Sequence, residues 1–333
     1  MSTELSPAVT RSAEPAPTAV RLLTALAEHR SLMLGVTAAV IAYALIVGPL
    51  PPTVQLVILA AAVAIVGLPH GALDHLVARQ LFAPVLGRRW WVIFGLLYLG
   101  LAGTMASIWL AFPLAALVIF LVLSAFHFGW DDPLWVRRSS GFWDAVEHAC
   151  AGAIPIVLPT WLHAAEVTVI FGWLMPAARP LDSGVVGAIA ACVASVVLPV
   201  AGLRFFRLVF GRPAAPAAAA ELAAIVLLHI VAPPLIAFLT YFCGWHSIRH
   251  ALELADDLEP GRLGSGLRRF AREAAPMTLT TVAAALAAAA ALGLTDIQLD
   301  SLLASIIFVG LSVLTVPHMA MMALARASLP DTD

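Results

Sequence analysis

Lysine is absent from the chain, and all eighteen basic residues are arginine. Charge of either sign is scarce. Charged side chains make up 11% of the 333 residues and hydrophobic ones 62%, whereas a soluble globular domain carries roughly 25% charged residues. So few charges cannot cover a water-exposed surface, which excludes an ordinary soluble fold. The net charge of -2 supplies no basic stripe that could follow a phosphate backbone, so nucleic acid is not an expected partner. The only cysteines are Cys150, Cys192 and Cys243. Each lies within or beside an apolar segment and none is in CxxC spacing, so they read as small buried hydrophobes, not as a disulfide framework. Walker loops, a helix-opening GxGxxG and a GxSxG elbow are also missing. Metal chemistry, haem ligation or transport remain.

The first thirty residues are rich in Pro, Ala, Ser and Thr and lack the pattern of a secretion signal. They are expected to form a flexible cytoplasmic tail, residues 1-30, with a short amphipathic stretch from Val20 to Ala27 and with His29 in solvent. Residues 31-326 then form a single transmembrane catalytic domain. Crossing a bilayer takes about 20 apolar residues as helix, and candidate spans recur from Ser31 to Leu324, with Pro or Gly at nearly every junction. The expectation is an all-α polytopic transmembrane helical bundle of about 8-10 spans. Arginine clusters fall on one side if Trp161 to Met175 is re-entrant and Pro233-Pro234 separates two spans. Ten crossings then result, with both termini in the cytoplasm of a cell bounded by this inner (plasma) membrane. A competing count makes Trp161 to Met175 cross and strands Arg204, Arg207 and Arg212 outside.

Four apolar segments end in a histidine motif: GLPHGALDH (His70, Asp74, His75), SAFHFGWDD (His127, Asp131, Asp132), GWHSIRH (His246, His250) and TVPHM (His318). Residues four apart on a helix lie about 40° apart around its axis, so His246 and His250 can reach one point, whereas His70 and His75 diverge. His70 has Asp74, and His127 has Asp131, four residues on. Such carboxylates can receive the N–H that a metal-bound imidazole points away from the ion, and Asp74 can also be a ligand itself. His318 is a ligand or a supporting residue. Imidazoles at helix C-terminal ends sit where the macrodipole favours positive charge, so four converging ends would cradle a cation. Ionisable groups in a membrane are costly, and a cluster of them is a functional site by default. His163 and His229 read as hydrogen-bonded packing, and Arg249 is expected to snorkel to headgroups or to pair with Asp74 or Glu253.

The motifs GLPHGALDH, FHFGWDD, YFCGWHSIRH and VPHM, in this order from Val66 to Met319, resemble those of the Brp/Blh family of membrane-bound β-carotene 15,15′-dioxygenases. The resemblance implies a non-haem Fe(II) enzyme that splits the central double bond of β-carotene with O2 into two all-trans-retinal. Motif by motif, it puts the iron ligands at His70, His127, His246 and His250; the spacing argument above adds Asp74, Asp131 and His318 as supporting residues. It also implies delivery of retinal to a microbial rhodopsin. Four neutral imidazoles leave open positions for O2. Substrate drawn from the lipid bilayer would enter a tunnel lined by Phe126, Phe128, Trp130, Tyr241, Phe242 and Trp245.

Three rival classes fit less well. A metal-ion transporter would carry polar residues through the membrane, yet stretches such as LAALVIFLVLS have almost none. A histidine-box di-iron membrane desaturase or hydroxylase would use about twice as many ligands. A bis-histidine haem would need its axial ligands on facing helices.

Overall fold

The structure is a computed structural model that describes residues 17–130, 142–175, 180–211, 215–291 and 298–327. Among these residues there is no strand. The first part of the chain forms α1 (Pro17–Ile46), α2 (Pro52–Ala62), α3 (Leu68–Gly71), α4 (Asp74–Leu86), α5 (Trp90–Ala111), α6 (Pro113–Trp130) and α7 (Phe142–Leu162). It continues as α8 (Ala164–Leu174), α9 (Ser183–Gly211), α10 (Ala215–Val231), α11 (Pro234–Leu239), α12 (Ile248–Leu258), α13 (Leu263–Ala291), α14 (Leu299–Ala304) and α15 (Gly310–Ala327). Prolines open α2, α6 and α11, where a missing N–H costs nothing because the first turn has no acceptor for it. Gly87, at φ +54°, makes the reversal that folds α5 back onto α4.

Among the described residues, six stretches are long and apolar enough to cross a membrane: Arg21–Ile46, Pro52–Ala111, Ala145–Leu162, Ser183–Arg207, Leu263–Ala291 and Leu299–Ala325. Three shorter apolar helices, Pro113–Gly129, Ala164–Leu174 and Pro216–Val231, complete the set. The chain is an all-α polytopic bundle. At about 1.5 Å per residue α8 is only about 16 Å long, far short of the roughly 30 Å hydrocarbon core. Pro233 is non-helical and separates α10 from α11. Large apolar side chains such as Ile46, Leu99 and Leu110 are exposed around the bundle, where a membrane protein meets lipid in place of water.

The main core gathers Leu56, Leu59, Trp109, Phe120, Phe128, Phe242 and Trp245. Helices α6 and α7 cross at glycines. A Cβ on Gly152 would run into the backbone of Ala125 and Gly129, and one on Gly129 into that of His148. Close approach of this kind supplies packing between apolar helices that lipid itself does not drive together. Gly152→Val is expected to destabilise the bundle by about 3 kcal/mol through forced separation of α6 and α7. Thermal unfolding in detergent checks this, with Gly103→Ala, a position facing open space, as the unaffected control.

Three segments wind wider than an α-helix, as π-helical turns: Val63–Gly67 before α3, Thr240–Ser247 between α11 and α12, and Ser305–Val309 between α14 and α15. Such turns are frequent at functional sites. Each of the three belongs to a helical run that carries a histidine motif.

The boundary expected at residue 30 does not coincide with a structural break. Helix α1 starts at Pro17 and runs unbroken to Ile46. His29, expected in solvent, is buried and donates from Nε2 to the Gly244 carbonyl at 2.9 Å, its ring edge-on to Trp245. Gly244 permits this docking, since a Cβ there would collide with Met33.

Candidate metal centre

His70 sits in the one-turn helix α3, which ends at Gly71 because Leu73, at φ -89° and ψ 3°, leaves helical geometry before α4 begins at Asp74. That break overturns the expected pairing of His70 with Asp74 across one continuous turn. His127 lies near the end of α6. His246 falls in the π-helical turn Thr240–Ser247, and His250 follows in α12. His318 lies mid-helix in α15, directly after Pro317. The helices carrying His246, His250 and His318 run on well past them, so the expected cradle of four helix ends is not present. The convergence is made by side chains.

Five imidazoles meet. Ring centroids of His70 lie 6.2 Å from His127, 5.4 Å from His246, 5.6 Å from His250 and 5.9 Å from His318. His127 lies 4.8 Å from His246 and 5.2 Å from His318. The Nε2 atoms of His127 and His246 are 3.2 Å apart. Two nitrogens bound to one ion at about 2.1 Å and at right angles would stand about 3 Å apart, so this pair matches a shared ion. His70, His127 and His318, all buried, offer ligand atoms within 4.8 Å of one another. The group the structure brings closest therefore contains two of the four expected ligands plus His318. His250 stands somewhat further out, stacked over His246 with parallel rings 6.3 Å apart, and its Nδ1 is 3.8 Å from Glu253.

The donor set fits a metal on a second ground. The Nδ1 atoms of His70 and His250 are buried without a hydrogen-bond partner. A buried polar atom left unsatisfied costs about 1–3 kcal/mol, which a bound cation would relieve. Neutral imidazoles suit a borderline transition ion such as ferrous iron better than a hard cation.

Asp74 serves His318. Its Oδ1 accepts from His318 Nδ1 at 2.8 Å and its Oδ2 accepts from the Tyr98 hydroxyl at 3.2 Å. A carboxylate on Nδ1 fixes the tautomer that puts the lone pair on Nε2 and holds the ring in place. Sequence reasoning missed Tyr98. It is one of three tyrosines in the chain and lies inside an apolar span, which was the available signal. With His318 as a ligand, Asp74→Ala is expected to weaken metal affinity about 10–100-fold, and with His318 outside the ligand set by much less; titrating the metal-free protein with ferrous iron reads the difference. Asp131 and Asp132 lie outside the described residues, as does the side chain of Trp130. His75 caps its own turn through the Ala72 carbonyl at 3.0 Å. His163 and His229 bond the carbonyls of Ile230 and Ile225.

The π-helical turn Thr240–Ser247 and the start of α12 present two faces. Phe242, His246 and His250 form one ladder toward the cluster. Tyr241, Trp245 and Arg249 form the other, facing away. Arg249 is buried and pairs with the fully buried Glu221 of α10, which also binds Arg30 of α1 at 3.0 Å. This replaces the expected headgroup contact, or pairing with Asp74 or Glu253. Further along α12, burial and the neighbouring Asp256 raise the Asp257 carboxyl above its usual range, against the pull of His250.

An apolar cavity of about 240 Å³ opens beside the histidines. His70, His127 and His318 line one part of it, and Phe94, Tyr98 and Leu311 another. Leu99 and Met277 also line it and are exposed on the outer surface, so its mouth lies between α5 and α13. Of the six aromatic residues expected around a tunnel, Phe128 and Phe242 face this cavity. Phe126 points outward, 37% exposed, and Tyr241 and Trp245 pack on the opposite face.

These features define an integral-membrane helical protein with a buried histidine cluster opening on an apolar, lipid-facing cavity. The chain belongs to the β-carotene 15,15′-dioxygenase family, whose model matches residues 61–325. It is 31% identical over 302 residues to the probable β-carotene 15,15′-dioxygenase Blh of Halobacterium salinarum, covering 81% of this chain and 84% of that one. It is 30% identical over 196 residues to the β-carotene 15,15′-dioxygenase of the uncultured marine bacterium 66A03, covering 57% of this chain and 66% of that one. No solved structure matches the chain.

Proposed function

We propose that this enzyme cleaves the central 15,15′ double bond of β-carotene with O2, giving two all-trans-retinal, at one ferrous ion held by His70, His127, His246 and His250. The observation that carries the reading is the meeting of imidazoles, two of them with nitrogens 3.2 Å apart, beside an apolar cavity that opens where lipid lies. When bound, ferrous iron supplies the O2 chemistry that an unactivated alkene needs. The remaining work falls to the protein. The His318–Asp74–Tyr98 chain holds one wall of the cluster rigid, and Phe128 and Phe242 press the polyene toward it. The apolar lining keeps water away from the reacting carbons. Substrate enters from the bilayer through the mouth between α5 and α13, and retinal returns by the same route, where a microbial rhodopsin can take it up. We place the bundle, residues 31-326 with α1 docked on it, in the inner membrane with both termini cytoplasmic.

A second reading is favoured by the tight grouping of His70, His127 and His318: His318 replaces His250 as the fourth ligand. Metal content of the two single alanine variants separates them. The activity is tested by expressing the chain in carotenoid-producing cells and extracting their pigments. Loss of orange colour with accumulation of retinal is expected. Unchanged pigment in cells that contain folded protein contradicts the proposal.

A further inference from the structure

A second cavity, of about 90 Å³, adjoins the first. Both are bounded by Phe120, Ser124 and Phe128 of α6 and by Phe238 of α11. The three α6 residues are spaced four apart and so form one ridge along the helix. On that ridge two phenylalanines flank a serine. Ser124 is therefore the low point of the wall between the two spaces.

The second cavity carries no charged group. Apart from Ser124, the one hydroxyl on its lining belongs to Thr160, which donates it to the Ile156 carbonyl at 2.6 Å. None of its lining residues is exposed. Such a space suits a hydrocarbon end and offers nothing to a polar one.

The size of the first cavity supplies the second step. Sites for drug-sized ligands run to about 300–1,000 Å³, and a two-ringed carotenoid is a long rod. At about 240 Å³, the first cavity is too small to hold all of it. The histidines line the first cavity alongside the shared ridge, since His127 adjoins Phe128 on α6. A rod whose middle lies at the histidines must extend in both directions, out toward the mouth between α5 and α13 and inward across Ser124.

Resting on the reading of the site given above, we infer that the second cavity is a binding site for the far end of an elongated apolar polyene, reached over Ser124. Its depth then measures the distance from that end to the histidine cluster and so selects the central double bond.

The test reads binding without turnover. Purified protein is titrated under argon, by quenching of tryptophan fluorescence, with two-ringed β-carotene and with retinal, the single-ringed half. Thr160→Phe and Ile170→Phe fill the second cavity without touching the first, and Ser124→Phe closes the passage. In each variant, β-carotene binding is expected to weaken at least about tenfold, and in Thr160→Phe and Ile170→Phe retinal binding changes less than about twofold. Retained retinal binding in these two also reports a folded site, so at least one folded variant decides the matter. Equal weakening of both ligands in Thr160→Phe and Ile170→Phe, or unchanged β-carotene binding in a folded variant, overturns the inference. A wild-type protein that binds β-carotene but does not cleave it contradicts the proposed activity and leaves the cavity assignment standing. A wild-type protein that binds neither overturns both.

Discussion

His246→Ala is expected to lower carotenoid cleavage at least about a thousandfold while the bundle stays folded. Losing even a residue that only supports a metal ligand typically costs 10–100-fold, and His246 is placed to do more than support. Its Nε2 is 3.2 Å from that of His127, and its ring lies between those of Phe242 and His250. Truncation removes an imidazole without touching the ladder on the opposite face, where Trp245 donates to Thr37 and Arg249 reaches Glu221. Retinal released from β-carotene by the purified variant, set against its unfolding temperature, separates lost chemistry from lost structure. A variant that keeps more than about a tenth of the activity would remove His246 from the ligand set.

The second large effect concerns stability. Glu221 is fully buried between Arg30 and Arg249, joining α1, α10 and α12. Removing one member of such a group leaves a charge buried without compensation, which costs about 3–5 kcal/mol. Glu221→Ala is expected to lose that amount in thermal or denaturant unfolding in detergent. Adding Arg249→Met to Glu221→Ala is expected to recover part of it, because an apolar side chain in place of the stranded cation carries no desolvation penalty. Since Arg249 stands between His246 and His250 in sequence, the pairing also fixes the rotation of the helix that presents both.

The sequence made part of this legible. An apolar composition with punctuating prolines and glycines specifies a helical membrane bundle, and histidines are conspicuous in such a background because charge and polarity are costly there. The motifs carrying His70, His127, His246, His250 and His318 could therefore be picked out before any coordinates, and the family resemblance narrowed them to four. Their partners could not be picked out. Asp74 serves His318, which is 244 residues away, because α3 ends before Asp74 and turns the carboxylate toward α15. Simple helical spacing assumes one unbroken helix and misses that interruption. It likewise cannot anticipate the π-helical turn at Thr240–Ser247 or which of its aromatics face the cavity. The i, i+4 ladders Phe242–His246–His250 and Tyr241–Trp245–Arg249 would have suggested the split. Arg249 found its acid on α10 and not nearby in sequence, since a buried guanidinium follows tertiary packing. The same holds for His29, drawn into the body by a helix that begins earlier than composition suggests.

The central claim is that imidazoles from at least three separate parts of the chain share one iron. Metal analysis of the purified protein tests it most directly, comparing wild type with single alanine variants at positions 70, 127, 246, 250 and 318. The account predicts about one iron per chain in the wild type and its loss in the ligand variants, with His250→Ala and His318→Ala deciding the fourth ligand. Two irons per chain, or full iron content in the His70→Ala, His127→Ala and His246→Ala variants, would contradict it.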